Sequence, residues 1–206
     1  MIAQPSKVTG DACEGLQCWQ ADPMTTDKSE SPPPIDDLDF QSFVRFALDR
    51  AGQLEPPVDT EAAALVLTLH RAASTVVYDL ESSVHRPHGW SWAGFRLMFA
   101  LWIVGTMDAK DAARIAGMSR QAASSQANTL EREGLLRRTK SPHDGRAVAF
   151  ALTKAGQKAI ADTYHEHNIR ERMWAELLTP EERAALTSAL GKLLDSAPHL
   201  EVRRRD

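Results

Sequence analysis

The stretch that decides the fold runs from Ser119 to Thr153 and reads SRQAASSQANTLEREGLLRRTKSPHDGRAVAFALT. A helix-capping serine opens it, and apolar residues follow at helical spacing as far as Gly134, which predicts a helix from residue 119 to 133. Beyond Gly134 the period changes, because LLRRT and AVAFALT are short, partly apolar segments around a turn that contains Asp144 and Gly145. This pattern predicts a β-hairpin directly after the helix.

Two further helices are predicted just upstream. MDAKDAARIAG indicates a short helix that Asp108 caps and Gly117 ends, and the turn GMS separates it from the helix at Ser119. Ser91 caps an apolar helix in SWAGFRLMFALWIVG, which we expect to be largely buried. Helix, turn, helix and hairpin together predict a winged helix, in which the second helix enters the DNA major groove and the hairpin flanks it.

Helical patterns also flank this region. An amphipathic pattern covers residues 39–51 before Pro56 and Pro57, and a longer one covers residues 59–84. The fold class predicted is therefore mostly α with a small β-hairpin wing: a winged helix-turn-helix domain between N-terminal and C-terminal helices.

The C-terminal part of the chain predicts two more helices. Thr153 begins the first, and Thr179, Pro180 and Glu182 form a capping-box signature for the second. The apolar stripe of the last helix consists of Leu186, Leu190, Leu193 and Leu194. Such a stripe needs a surface to bury it, either its own domain or a second copy of the chain.

Charge is distributed unevenly along the chain, whose formal net charge is -4. Residues 110–158 contain ten lysines and arginines against four acids, whereas residues 1–39 contain two against eight. A local positive excess of this kind is typical of a surface that binds a polyanion.

Several other classes of protein are not expected. The sequence has no run of about 18 apolar residues and no secretory signal. Cys13 and Cys18 both lie near the N-terminus and cannot cross-link a core by a disulfide, so we expect a cytoplasmic location. It contains no glycine-rich phosphate loop or G-x-S-x-G elbow, so we expect neither an enzyme nor a bound cofactor.

The candidate DNA contacts lie on the predicted second helix and on the hairpin. Ala123, Ala127 and Leu130 can face the core, which leaves polar residues outside. Arginine can pair with guanine, and glutamine or asparagine with adenine, whereas serine can bind a base or a phosphate. The candidates are Ser119, Arg120, Gln121, Ser124, Ser125 and Asn128 on the helix, and Arg137, Arg138, Lys140 and Arg146 on the wing.

Asp144 is expected to have a different purpose from its neighbour Arg146. An exposed carboxylate at the wing tip would repel DNA, so we expect Asp144 to hold the turn or to orient an arginine. Arg146 lies just past the turn, where a guanidinium group could enter a minor groove or bind the phosphate backbone.

The run SRQAASSQANTLEREGLLRRTKSPHDGRAVAFALTKAG resembles the MarR family of winged-helix transcriptional regulators. The resemblance rests on three motifs: L-E-x-x-G-L at the end of the predicted second helix, D-x-R in the wing and L-T-x-x-G after the hairpin. The residue pattern matches closely over residues 92–160, and the order of predicted helices extends the match over residues 59–195. It implies a homodimer, built from N- and C-terminal helices, that binds a palindromic operator, most often as a repressor. It also implies that Arg146 reaches the minor groove.

The domain organisation expected on this basis has four parts. They are an acidic disordered arm at 1–38, an extra helix and linker at 39–58, a MarR-type domain at 59–195 and a tail at 196–206. Within the domain, the DNA-binding core spans 92–158, and the dimerisation helices span 59–84 and 153–195.

Members of this family often bind small aromatic or anionic molecules between the dimer helices and the winged helix. The matching zone here could stack an aromatic ring or neutralise a carboxylate. Its candidates are His85, Arg86, His88, Trp90, Trp92, Phe95, Arg96 and Trp102. An aromatic stripe at helical spacing is also typical of an ordinary core, and a constitutive or architectural DNA-binding protein without an effector is the alternative function.

Two minor candidates complete the prediction. CEGLQC could sense oxidants, although it lies in the acidic arm. His165 and His167 could join a metal site, but alternate helix positions point apart, so we expect a solvated surface and no metal.

Overall fold

The structure, a computed structural model, describes residues 34–141 and 147–197. The chain divides into two compact units between Ala64 and Leu65. A short 3-10 turn, Ile35–Asp37, comes first. The helices and strands that follow are α1 Phe40–Gly52, α2 Thr60–Leu80, α3 Trp92–Val104, β1 Met107–Asp108, α4 Ala109–Ile115, α5 Arg120–Arg132, β2 Leu136–Lys140, β3 Val148–Leu152, α6 Lys154–Ala175 and α7 Pro180–Ser196.

Most of the predicted helix starts are confirmed by their caps. The Ser91 hydroxyl accepts from Gly94 N at 3.0 Å, and the Ser119 hydroxyl accepts from Ala122 N at 3.1 Å. α7 begins with the predicted capping box. Asp108 stands at the N-cap position of α4, but its side chain makes no capping hydrogen bond.

The sheet has one strand more than predicted. The strand order is β1-β3-β2, and both pairings are antiparallel. Phe150 at the centre pairs with Met107 on one side and with Arg138 on the other. A two-residue strand carries no alternating pattern, so only the hairpin could be predicted.

The core lies where α3, α5, α6 and the sheet meet. Leu97, Met98, Leu130, Phe150 and Ile160 are among its most deeply buried large apolar residues. α3 is buried through Leu101, as predicted, but its last turn is exposed, with Ile103 at 62%.

The predicted helix 59–84 does not stay α-helical to its end. α2 stops at Leu80 and continues as a π-helical turn, Glu81–His85, and then a 3-10 turn, Arg86–His88. Near this junction Asp79 accepts hydrogen bonds from Arg170 Nε and Trp174 Nε1, each at 2.7 Å. The Arg170 guanidinium is the main cause that lowers the pKa of Asp79 to about 2, and the contact ties α2 to α6.

None of the helices within the described ranges combines the length and the hydropathy that crossing a bilayer requires.

Candidate nucleic-acid interface

Helix α5 has two opposite faces. Ala123, Ala127 and Leu130 are buried in the core, as predicted. The polar residues on the other side are all exposed, and they are Arg120, Gln121, Ser124, Ser125 and Asn128. Ser119 is half-buried, with its hydroxyl engaged as the helix cap. The exposed face therefore offers donors and acceptors that suit base edges and phosphates.

A hydrogen bond connects α5 to the beginning of α3. The Ser91 hydroxyl, besides capping α3, donates to Gln126 Oε1 at 3.1 Å. A Cβ atom at Gly94 would lie 3.2 Å from the same oxygen, so glycine allows the helices to approach closely. Sequence reasoning missed Gln126, because nothing in the local pattern indicates which α5 glutamine turns toward α3.

The turn between α4 and α5 is held by Arg96. Its Nη2 donates to the main-chain oxygens of Ala116 and, at 2.6 Å, of Gly117. Gly117 has a φ of 64°, and a Cβ atom there would lie 2.5 Å from Arg96 Nη2. Burial lowers the pKa of Arg96. Arg96 therefore binds the carbonyl end of α4 and supports the helix-turn-helix, and its assignment as a ligand residue stays a prediction.

The wing strands carry cations in two different environments. Arg137 and Lys140 are exposed on β2, whereas Arg138 is half-buried and lies over the Phe150 ring at 5.6 Å from its centroid. Arg138 Nη1 donates to Glu131 Oε2 and its Nη2 to Asn128 Oδ1, both at 2.6 Å. Arg138 therefore contacts α5 directly, which its position in the sequence did not indicate.

The tip of the wing, residues 142–146, lies outside the described residues. Asp144 and Arg146 are in this tip, so their assignments remain predictions. Cys13 and Cys18 likewise lie outside the described part of the chain.

A buried histidine pair joins the π-helical turn to α6. His85 is completely buried, and its Nε2 lies 3.0 Å from His167 Nδ1. His167 Nε2 lies 3.0 Å from Glu171 Oε1. The predicted solvated surface is therefore wrong for His167, although His165 is exposed. The error arose because helical spacing alone does not show which of two alternate positions faces a neighbouring helix.

The predicted ligand residues lie in different environments. Trp90 and Phe95 are buried in the core, and His85 stacks on Phe95 with ring centroids 4.2 Å apart. Trp92 is half-buried and stacks on His85 as well, at 5.4 Å. Trp90 and Phe95 are therefore core residues, and the ligand assignment of all four residues stays a prediction.

The remaining ligand candidates are nearer the surface. Arg86 Nε lies 3.7 Å from Glu81 Oε1, and His88 Nε2 lies 3.0 Å from Glu166 Oε2. Trp102 is partly exposed beside Tyr164. An apolar cleft of about 210 Å³ is lined by Arg96, Phe99, Ala100, Ile103, Val104, Ile115 and Ala116, so it includes Arg96 alone among the candidates. Residues 34–141 and 147–197 contain no cluster of three or more His, Cys, Asp or Glu that could hold a metal ion.

Comparison with known proteins gives concordant matches. The family model described as MarR family matches residues 88–147. YwaE, an uncharacterised HTH-type transcriptional regulator of Bacillus subtilis strain 168, is 28% identical over 139 residues, which cover 68% of this chain and 81% of that protein.

Two solved structures illustrate the fold match. NadR in complex with 4-hydroxyphenylacetate is 25% identical, with a TM-score of 0.56, over 66% of this chain and 96% of that one. A mutant MarR from E. coli complexed with operator DNA is 19% identical, with a TM-score of 0.60, over 65% of this chain and 96% of that one. This second likeness shows the fold alone.

The helix-turn-helix, the exposed polar face of α5 and the adjoining hairpin define a DNA-binding transcriptional regulator of the winged-helix class. By these matches residues 88–147 are similar to the MarR family, and the fold is similar to that of its solved members.

Proposed function

We propose that this regulator is a repressor that binds a palindromic operator as a homodimer and leaves it when a small aromatic or anionic ligand binds. The observation that supports DNA recognition is the exposed face of α5, where five polar residues lie opposite a buried apolar face. In this proposal α5 enters the major groove, and the wing lies along the flanking backbone and minor groove.

The wing supplies the first prediction. Arg146→Ala is expected to weaken operator binding by roughly tenfold or more, because it removes a cation from the minor groove or backbone. Fluorescence anisotropy with an operator duplex, taken from the DNA beside the gene or selected from a random pool, measures the loss. The fold and the oligomeric state should stay unchanged.

Lys158→Ala is the matched control for the loss of one charge. Lys158 is exposed on α6 and pairs with Asp162 at 2.5 Å, so its removal should change operator affinity little. Wild-type affinity in the Arg146→Ala protein would exclude the wing assignment.

Dimerisation is supported by apolar side chains that a single chain leaves exposed. No residue of α7 is buried by the described part of the chain, and Leu194 is 75% exposed. The exposed apolar residues of α2, α6, α7 and the turn between α6 and α7 include Leu65, Val66, Ile169, Met173, Leu177, Leu186, Leu193 and Leu194. Burying these helices against a second copy would remove this surface from water and supply the second α5 that a palindrome requires.

The second prediction tests that interface. Leu193→Glu is expected to convert the dimer to a monomer at micromolar concentration, because it buries an unpaired charge between subunits. Light scattering coupled to gel filtration measures the mass. Ser188→Glu, exposed on the opposite side of the same helix, is the control and should remain dimeric. A monomeric wild-type chain, or an unchanged Leu193→Glu dimer, would contradict the proposal.

The effector is supported by a solved relative, since NadR was crystallised with 4-hydroxyphenylacetate. A constitutive or architectural DNA-binding protein is the alternative. Anisotropy with aromatic carboxylates as titrants separates the two functions, because a ligand-responsive repressor releases its operator and a constitutive binder does not. Equal affinity for scrambled duplexes, with a steep salt dependence, would indicate the architectural alternative.

A further inference from the structure

The side chain of Asn128 is held in one orientation by a residue of the wing. Asn128 Oδ1 accepts from Arg138 Nη2 at 2.6 Å. Arginine can only donate, so the oxygen of the amide must be the atom that faces Arg138. The amide nitrogen of Asn128 is then the atom directed away from the wing strand.

Arg138 is itself fixed on three sides. Its Nη1 donates to Glu131 Oε2 at 2.6 Å, its main-chain N–H donates to Glu131 Oε1 at 3.3 Å, and its guanidinium lies over the Phe150 ring. The carboxylate of Glu131 compensates the charge of Arg138. The guanidinium of Arg138 therefore makes its contacts within the protein, whereas Arg137 is exposed on the same strand.

We propose that Arg138 is a positioning residue that makes Asn128 a hydrogen-bond donor toward the major groove, so that Asn128 selects guanine rather than adenine. The proposal rests on the proposed entry of α5 into that groove. A free asparagine pairs with adenine by accepting from N6 and donating to N7. With Oδ1 turned to Arg138, only the N–H groups reach the base, and guanine presents two acceptors, N7 and O6.

The test is the sequence preference of the full chain and its variants, obtained by selecting bound duplexes from a random pool. Asn128→Ala locates the position that Asn128 reads, because the preference there should disappear while the rest of the site stays. Its affinity for the wild-type site should fall roughly 5- to 100-fold. The proposal requires guanine at that position in the wild type.

Arg138→Leu should move this preference toward adenine, because it releases Oδ1 for the base. Asn128→Asp provides a second route that leaves Arg138 and its acceptors in place. Its carboxylate has no N–H group, so the preference should move to cytosine, whose N4 donates. Arg137→Leu, which removes an equal charge from the neighbouring position, should keep guanine and only lower affinity.

The outcomes separate this inference from the proposed function. Adenine at the Asn128 position in the wild type, or an unchanged guanine preference in either Arg138→Leu or Asn128→Asp, would overturn it. A selected operator that Asn128→Ala does not alter would overturn it too, with sequence-specific binding still established. A wild-type chain that selects no sequence would contradict the proposed function as well.

Discussion

Gly156→Ala is expected to lower the free energy of unfolding by about 3 kcal/mol or more, because the first turn of α6 has no space for a side chain. A Cβ atom there would lie 2.9 Å from the carbonyl carbon of Leu135, and closer still to its oxygen. The same oxygen accepts from Thr153 N at 3.0 Å, and Thr153 caps α6 by accepting from Gly156 N at 3.0 Å. Neither backbone can move without breaking this junction. Urea denaturation followed by circular dichroism measures the loss.

Gly191→Ala is the matched control, since it makes the same substitution inside a helix. Gly191 lies in α7, and an added Cβ atom there would meet nothing within 4 Å. Helix propensity should make this variant more stable by up to about 1 kcal/mol. Wild-type stability in the Gly156→Ala protein would show that the junction between α6 and Leu135 is not fixed as described.

Acidification is expected to destabilise the chain through its buried histidine pair. Burial, followed by the neighbouring His167 and His88, lowers the pKa of His85 from 6.5 to about 4. On acidification the unfolded chain therefore binds a proton at His85 before the folded chain does. The stability that neutral His85 provides is intact above pH 6.5 and is lost as the pH falls toward 4. A shift of this size corresponds to about 3 kcal/mol. Burial also lowers the pKa of His167, and the opposing effect of Glu171 is smaller.

The measurement is the free energy of unfolding in urea at pH 7.5 and at pH 4.5. His85→Gln can keep a hydrogen bond to His167 but cannot titrate, so its pH dependence should be flatter than that of the wild type. His165 is exposed on α6, the helix that carries His167, and His165→Gln should leave the pH dependence unchanged. Equal pH dependence in the wild type and His85→Gln would contradict this role of His85.

Local patterns predicted the helices of the winged helix well because their signals are local. A serine or threonine before an apolar periodic run satisfies the free N–H groups of the first turn, and the structure confirms this at Ser91, Ser119 and Thr179. In the L-T-x-x-G segment, the threonine is explained by local structure and the glycine by a tertiary contact. Thr153 caps α6, but only the contact with Leu135 explains why Gly156 follows it.

The candidate site was predictable only in part. The buried and exposed faces of α5 follow from helical period, and the structure confirms them. The sequence did not indicate that Arg138 would bind Asn128, that Arg96 would hold the α4–α5 turn or that His167 would bind His85. Each of these contacts joins residues from different elements, and no period or cap carries that information.

The sequence by itself determined the winged helix, the resemblance to the MarR family and the polar face of α5, because periodicity, caps and turn residues act within a few positions of one another. Only the tertiary structure decided which cations are exposed and which serve the fold. Arg137 and Arg138 are adjacent and chemically identical, yet one is exposed and the other lies between Glu131, Asn128 and Phe150. The physical reason is that successive residues of a strand point to opposite faces, and the helix packed on one face determines what each arginine meets.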